Sequence, residues 1–430
     1  MGHVIARAAA MRCLDMKPTT NLRRRLLVLA LLGGGTIQAG GEASGLLTGN
    51  TFTGDTTWDK VWSLPLLYKN EDNRILQEFA LQGRGQFQWA EVHEGGDHYD
   101  FDDLDGGAND EKYLGDDLEV RRLRFGFKSK WLNLFKLEGQ LDLDPDFDSD
   151  GGPDILPGFA KQIYDLYLTY APSDAFNLSI GKTKTKFTRE QEISSKEILT
   201  IERSLLANAL YPGELTGIWV SGKGIGEHWL YELGLFSNER ATGFTSLSSD
   251  NGELILAKVG YDYSAAAGLD SAVAGLHLMH NTEPGVETGN YGRSPRYSNS
   301  VSLNNDIVHG RFGLTSEVVW ADGDVGQSDV FGVSLIPSYF IADQLQLVGR
   351  LQFATSSDPN GLSLPGRYEA VIPGDDKGDE YLSGYLGLNY YLYGHKLKLM
   401  TGVEYSAMDG NGPSGDYDGW TAFAGLRFFF

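Results

Sequence analysis

Basic side chains recur at alternate positions in segments that otherwise have the pattern of β-strands. From Val120 to Lys128 the apolar side chains share one face, so Arg122 and Arg124 fall on the other. By the same alternation, three more arginines lie on the face opposite the apolar residues of their own segments: Arg84, Arg350 and Arg427. Guanidinium groups along one wall attract oxyanions by charge and by bidentate hydrogen bonds, and successive contacts let the ion move on. The pattern predicts an anion-binding wall, although any water-filled interior also collects arginine and lysine.

A second basic group precedes and enters a long polar connection. Lys182, Lys184 and Lys186 share one face, but Phe176 and Ile180 have the same parity. If that face meets lipid, each charge costs about 2 to 4 kcal/mol near the membrane midplane. A bulge or kink near Gly181 would turn the lysines inward, or they lie at the outer rim, and the sequence leaves both open. The connection adds two candidates: Arg189 and Arg203.

The strands that position these groups are typical of a closed membrane barrel. From Leu76 onward, about sixteen segments of alternating polarity have the length of tilted transmembrane strands. The final segment, Thr421 to Phe430, alternates up to a terminal aromatic residue and turns Arg427 away from the face of Ala422 and Phe428. Closure hides every strand edge from lipid. We therefore predict an all-β, antiparallel transmembrane barrel of about sixteen strands over residues 76–430.

The connections alternate between long and short, as in barrels with brief periplasmic turns and longer external loops. The third long connection, Thr188 to Gly213, is longer than a hairpin needs and contains the apolar pair Leu205-Leu206. The inner wall would offer a surface for that pair. Most tryptophans fall beside turns, as interfacial girdles require, whereas Trp219 lies in mid-strand and does not fit that pattern.

Composition fits an exported barrel. Arg23 to Arg25 precede a short apolar run, which predicts an export signal over residues 1–39, and residues 40–75 would form a periplasmic N-terminal segment. The single cysteine, Cys13, excludes a disulfide framework. Gly, Tyr and Phe, at 55, 21 and 21 residues, suit tight turns and aromatic girdles. A formal net charge of −22 argues against nucleic acid as a partner.

Metal and catalytic motifs are weak. Asp146, Asp148 and Asp150 match the first half of a calcium loop, but Pro157 stands where the closing glutamate belongs. Two interpretations fit this pattern: a solvated acidic loop, and a calcium site in an external loop. Divalent ions bound there would bridge to lipopolysaccharide phosphates. The histidines are scattered and lie outside hydrolase motifs. We therefore expect no cofactor and no enzyme activity.

Several patches resemble the phosphate-selective porin O and P family. They are Leu67–Asn73 with Leu81–Arg84, Leu118–Arg124, Ile180–Glu190, Ser194-Ser195 and Ile201–Ser204. The resemblance implies a sixteen-stranded outer-membrane barrel, usually a homotrimer, whose third long loop folds into the lumen as a constriction. It also implies selectivity for phosphate.

These observations predict a passive outer-membrane channel for small solutes that favours anions. A general or cation-leaning porin is an alternative, because five acidic residues have the parity of the inward face: Glu78, Glu138, Asp165, Glu317 and Glu404. A sugar-admitting porin is a further alternative, with Tyr167, Tyr385 and Tyr391 as ring-stacking groups. Two other classes are a barrel hydrolase of the phospholipase type and a secreted, soluble β-rich binding protein.

Overall fold

The structure is a computed structural model. It describes residues 56–94, 118–143, 159–247, 251–286, 295–359, 361–365, 368, 377–410 and 416–430. The predicted export signal and the calcium-loop aspartates Asp146, Asp148 and Asp150 lie outside the described residues, so both stay predictions.

Strands dominate the described part of the chain. In order they are β1 Leu66–Lys69, β2 Leu76–Glu94, β3 Leu118–Trp131, β4 Phe135–Leu143, β5 Ala160–Ser173, β6 Phe176–Thr185, β7 Gly213–Ile225, β8 Trp229–Ser237, β9 Glu253–Asp262, β10 Ser271–Asn281, β11 Tyr297–His309, β12 Phe312–Gly323, β13 Val330–Ala342, β14 Leu345–Ser356, β15 Leu362–Ser363, β16 Lys377–Tyr391, β17 Leu397–Gly410 and β18 Tyr417–Phe429. The short helices are α1 Thr57–Ser63, α2 Arg189–Glu192, α3 Leu205–Ala209 and α4 Ser264–Ala267. None of the described helices is long and apolar enough to span a membrane.

Sixteen of these strands, all except β1 and β15, close into one antiparallel barrel, which confirms the predicted fold class. Closure is made by β18 and β2, which pair from Gly419 opposite Glu94 to Phe429 opposite Arg84. Beyond the end of β18, β1 takes over the free edge of β2, with Lys69 opposite Glu78. The barrel seam therefore keeps its backbone hydrogen bonds where the C-terminal strand runs out.

The strand connections alternate in length as predicted. Tight turns join β3 to β4, β5 to β6 and β11 to β12, while long connections join β2 to β3 and β6 to β7. Helix α1 lies at the short-turn end, where the Trp62 indole donates to the Phe429 carbonyl at 2.6 Å. In outer-membrane barrels that end faces the periplasm.

The connection from β6 to β7, residues 186–212, folds into the barrel lumen as the predicted constriction loop. Helices α2 and α3 give it local order, because Thr188 and Ser204 cap them by accepting hydrogen bonds from the Gln191 and Ala207 amides. Leu205 and Leu206 are buried against inward-facing wall residues, as their apolar character predicted. A Cβ atom at Gly332 would lie only 2.5 Å from a Leu206 methyl carbon. Because glycine has no Cβ, the wall leaves room for Leu206 at this position.

Arg350 on β14 is the most heavily used anchor of the loop. Its guanidinium donates to both Glu404 oxygens, at 2.8 and 2.9 Å, and to the Glu202 carbonyl at 2.7 Å. A Glu190 oxygen lies 3.5 Å away, and all these charges are buried. Removing one partner of such a set leaves buried charge without compensation.

We expect Arg350→Gln to destabilise the barrel by about 3 to 5 kcal/mol, because Glu404 and Glu190 lose their shared cation. The loop should also become open to trypsin at Lys196 and Arg203. Urea unfolding in detergent and limited proteolysis measure the two effects. Arg311→Gln, which breaks an exposed turn pair with Asp343 at 3.0 Å, is the matched control and should cost about 0 to 1 kcal/mol. An Arg350→Gln protein as stable and protease-resistant as this control would contradict the anchoring role.

Candidate functional site: the basic wall beside the constriction loop

Arginines of β2 and β3 face the lumen and meet the constriction loop. The Arg84 guanidinium donates to the Ser195 hydroxyl of the loop and, at 3.1 Å, to Gln140. Arg122 donates to Gln86 at 2.7 Å, and Gln86 in turn donates to the Ser195 carbonyl. These positions follow from the strand alternation that the sequence predicts.

Arg121 also turns inward, which strict alternation does not predict. The β2–β3 register slips between Gln86 and Phe87, so Arg121 is the extra residue of a β-bulge. It makes a bidentate ion pair with Glu202 of the loop, at 2.6 and 3.1 Å. Burial disfavours the charge of Glu202. Arg121 and Arg122 nevertheless hold the pKa of Glu202 well below its usual range. A bulge of this kind has no clear sequence signal. Regular alternation therefore assigns Arg121 to the outward face.

Eight of the basic side chains form a continuous series of electrostatic neighbours, which we name the basic track. Arg122 has Arg121, Arg203 and Arg124 as positive neighbours. Lys184 has Arg203 and Arg122 as positive neighbours. Arg84 has Arg124, and Lys196 of the loop has Arg84 and Lys128. The members are Arg121, Arg203, Arg122, Lys184, Arg124, Arg84, Lys196 and Lys128.

Only part of the basic track is neutralised within the described residues. Arg121 pairs with Glu202, Arg124 with Asp142 at 3.0 Å, and Lys128 with Glu78 at 3.7 Å. Among the described residues, the others have neutral partners: Arg203, for example, donates to the Glu190 and Ile193 carbonyls at 3.0 and 2.8 Å. The track therefore keeps surplus positive charge at Arg122, Arg84, Arg203 and Lys196.

Lys182 and Lys184 of β6 and Lys186, which follows it, lie in different environments. The β6–β7 register runs without a shift from Asn177 to Thr185, so Lys182 keeps the parity of Ile180. Lys182 is buried and its ammonium donates to the Ala241 carbonyl, so it does not join the basic track. Lys184 reaches the constriction loop, with its ammonium 3.3 Å from the Gln191 carbonyl, and Lys186 is exposed. At Gly181 φ is +142°, but the β6–β7 pairing continues through this residue and Lys182 does not reach the basic track.

Three more of the predicted arginines hold the constriction loop in place. Arg427 is buried on β18 and donates to the Ile201 carbonyl and to Gln88. Arg189 pairs with Asp306 of β11 and with Glu192, and Arg350 makes the anchor described above. Lys398 of β17, which the sequence analysis did not single out, does the same by donating to the Ile198 carbonyl at 2.6 Å.

The inward acids are largely engaged as well. Glu404 binds Arg350, Glu78 binds Lys128, and Asp165 accepts hydrogen bonds from Thr183 and the Lys184 amide. Glu317 accepts from Ser302 at 2.6 Å and from the Arg189 amide at 2.7 Å. These four of the five acids therefore stabilise the loop or the wall more than they attract mobile cations.

A cavity lies at each end of the basic track. The outer cavity, about 500 Å³ on the long-connection side, is lined by six basic and two acidic residues: Arg121, Arg203, Arg240, Arg296, Arg350, Lys377, Glu202 and Glu404. The inner cavity, about 520 Å³ beside α1, is lined by four lysines and one acid: Lys69, Lys128, Lys196, Lys396 and Glu78. Arg121 and Arg203 line the outer cavity. Lys196 and Lys128 line the inner cavity. The track thus links two positively biased spaces on opposite sides of the loop.

Solved porin structures have the same fold at low sequence identity. OprB of Pseudomonas putida is 12% identical, with a TM-score of 0.51, and the match covers 83% of this chain and 94% of that one. An anion-selective porin from Comamonas acidovorans is 12% identical, with a TM-score of 0.50 and coverage of 82% and 99%. OmpT of Vibrio cholerae is 11% identical, with a TM-score of 0.50 and coverage of 84% and 100%. No protein with a curated description matches this chain.

The sequence itself matches one family over most of its length. The profile described as "Phosphate-selective porin O and P" matches residues 93–428, which include β3 to β17 and most of β18. The match confirms the resemblance seen in the sequence and agrees with the barrel, the inserted loop and the basic wall. The chain belongs to the phosphate-selective porin O and P family and is a channel of the bacterial outer membrane.

Proposed function

We propose that phosphate-like oxyanions cross this barrel passively along the basic track. The observation that carries the proposal is the unbroken series of cations between two positively biased cavities. An anion entering the outer cavity meets Arg121 and Arg203, then Arg122 and Lys184 at the loop. Arg84 and Lys196 receive it on the periplasmic side.

The energetics favour transient occupation of this track by anions. Like charges close together in a partly desolvated space repel each other, and an anion between them relieves that repulsion. Guanidinium groups bind phosphate oxygens in bidentate geometry, whereas each ammonium acts as a compact charge. Because neighbouring cations offer similar contacts, the ion exchanges one for the next without a deep well.

The negative charge of the whole chain does not oppose this route. Many acidic residues lie in the predicted external loops, such as Glu91 to Asp117. Physiological salt screens exposed charges over roughly 8 to 10 Å, so the constriction can differ in sign from the rim. The engagement of Glu404, Glu78, Asp165 and Glu317 also weighs against the cation-leaning alternative.

In this proposal the protein is not an enzyme, because the basic track binds and releases ions without chemistry. The remaining partners come from the family resemblance: a homotrimer in the outer membrane, in contact with lipid and lipopolysaccharide. Calcium at Asp146, Asp148 and Asp150 stays a prediction.

Arg122 gives a direct test, because its described hydrogen-bond partner is the neutral Gln86. Losing one hydrogen bond to a charged group costs about 1.5 to 3 kcal/mol, so Arg122→Gln should raise the phosphate concentration that half-blocks chloride current about tenfold or more. Single-channel recording in a planar bilayer measures the block.

Arg74→Gln is the matched control, because it removes an exposed arginine near the β1–β2 turn. Phosphate block in that variant should equal that of the wild type. If Arg122→Gln also blocks like the wild type while its conductance shows an intact barrel, the track does not carry phosphate.

The charge of Lys196 predicts a pH dependence. Burial lowers the pKa of Lys196 to about 8, and the nearby cations Arg84 and Lys128 contribute. Since a lysine loses its charge as the pH rises through its pKa, anion preference should weaken between about pH 7 and 9. Reversal potentials in a salt gradient at each pH measure the change.

Lys196→Arg keeps its charge over this range and should remove the pH dependence while preserving anion preference. Lys196→Gln should show the weak preference of the high-pH wild type at every pH. A wild-type channel and a Lys196→Arg channel with identical pH profiles would exclude Lys196 as the titrating group.

A further inference from the structure

Trp219 on β7, which does not fit the interfacial girdles, faces the lumen. It pairs with the buried, inward Ser179 of β6 and with Gly234 of β8. Its ring lies 5.4 Å from the Tyr167 ring, edge to face, and 5.8 Å from the Phe236 ring, nearly stacked. A cluster of three aromatic rings on a water-facing wall needs another explanation than contact with lipid.

This cluster stays open to the lumen. Trp219 and Tyr167 are half-buried and line a recess of about 240 Å³ on the short-turn side of the constriction loop. By contrast, Tyr385 and Tyr391, the other inward tyrosines expected to stack on sugars, are only 4% and 2% exposed. The recess therefore combines an inward aromatic cluster with open space.

Polar groups around the recess define what it would accept. Glu138 and Glu232 line it, and a carboxylate accepts hydrogen bonds only, so it calls for hydroxyl or other donor groups. Glu232 also binds Lys258 at 2.9 Å, which offsets its charge. The exposed Lys186 lines the same recess, so an anionic group fits beside the hydroxyl donors.

We propose that the recess is a subsite for a phosphorylated sugar. The ring would stack on Trp219, the hydroxyl groups would donate to Glu138 and Glu232, and the phosphate would lie at Lys186. The recess is lined mostly by polar side chains beside the aromatic cluster, which suits a solute with many hydroxyl groups, and tryptophan offers a wide face for its ring. The inference rests on the proposed anion route and narrows its substrate class.

The test compares block of chloride current by glucose 6-phosphate, inorganic phosphate and glycerol 3-phosphate, which carries phosphate without a ring. In the wild type, glucose 6-phosphate should half-block at a concentration lower than either other solute by about threefold or more. Trp219→Ala should abolish that advantage and leave block by inorganic phosphate unchanged. Trp219→Phe should keep part of it.

Trp229→Ala, which removes an exposed tryptophan from the outer surface, is the control and should leave all three solutes unchanged. Unchanged conductance in potassium chloride shows that a variant barrel is intact. Equal block by glucose 6-phosphate and glycerol 3-phosphate in the wild type would overturn the ring subsite. Absence of block by every phosphate would instead overturn the anion route itself.

Discussion

The function of this barrel depends on hydrogen bonds from the wall to the backbone of the constriction loop. Between residues 195 and 202 the loop carbonyls accept from side chains around the ring: Gln86 to Ser195, Lys398 to Ile198, Asn389 to Leu199, Arg427 to Ile201 and Arg350 to Glu202. A loop crossing the lumen has few backbone partners of its own, and buried carbonyls need donors. The wall supplies them, and several of these donors carry a positive charge.

This arrangement divides the basic residues into two roles. Arg350, Arg427 and Lys398 are buried and each donates a hydrogen bond to a loop carbonyl, so they fix the position of the loop. Arg122 and Lys196 are only partly buried and lack a carboxylate partner among the described residues, so they remain available to a passing anion. Positive charge is thus useful twice, because the groups that hold the loop also raise the potential that favours anions.

Regular alternation made much of this predictable from the sequence. It identified the barrel and the inward positions of Arg84, Arg122, Arg124, Arg350 and Arg427, whereas the inserted loop was expected from its length, its Leu205-Leu206 pair and the family resemblance. It failed where a strand departs from regular pairing, as with the bulge at Arg121, and where another loop covers a strand, as with Lys182. It also could not separate anchors from free cations, because the partners of Arg350 and Arg427 come from a loop whose path depends on tertiary contacts rather than on local periodicity.

The central claim is that the water-filled interior favours anions although the chain as a whole is acidic. The most direct measurement is the zero-current potential of the purified channel in a planar bilayer that separates two concentrations of potassium chloride. We expect the sign of that potential to show that chloride is more permeant than potassium, and millimolar phosphate to reduce the current. A potential of the opposite sign, with phosphate having no effect, would contradict the basic track while leaving the barrel as described.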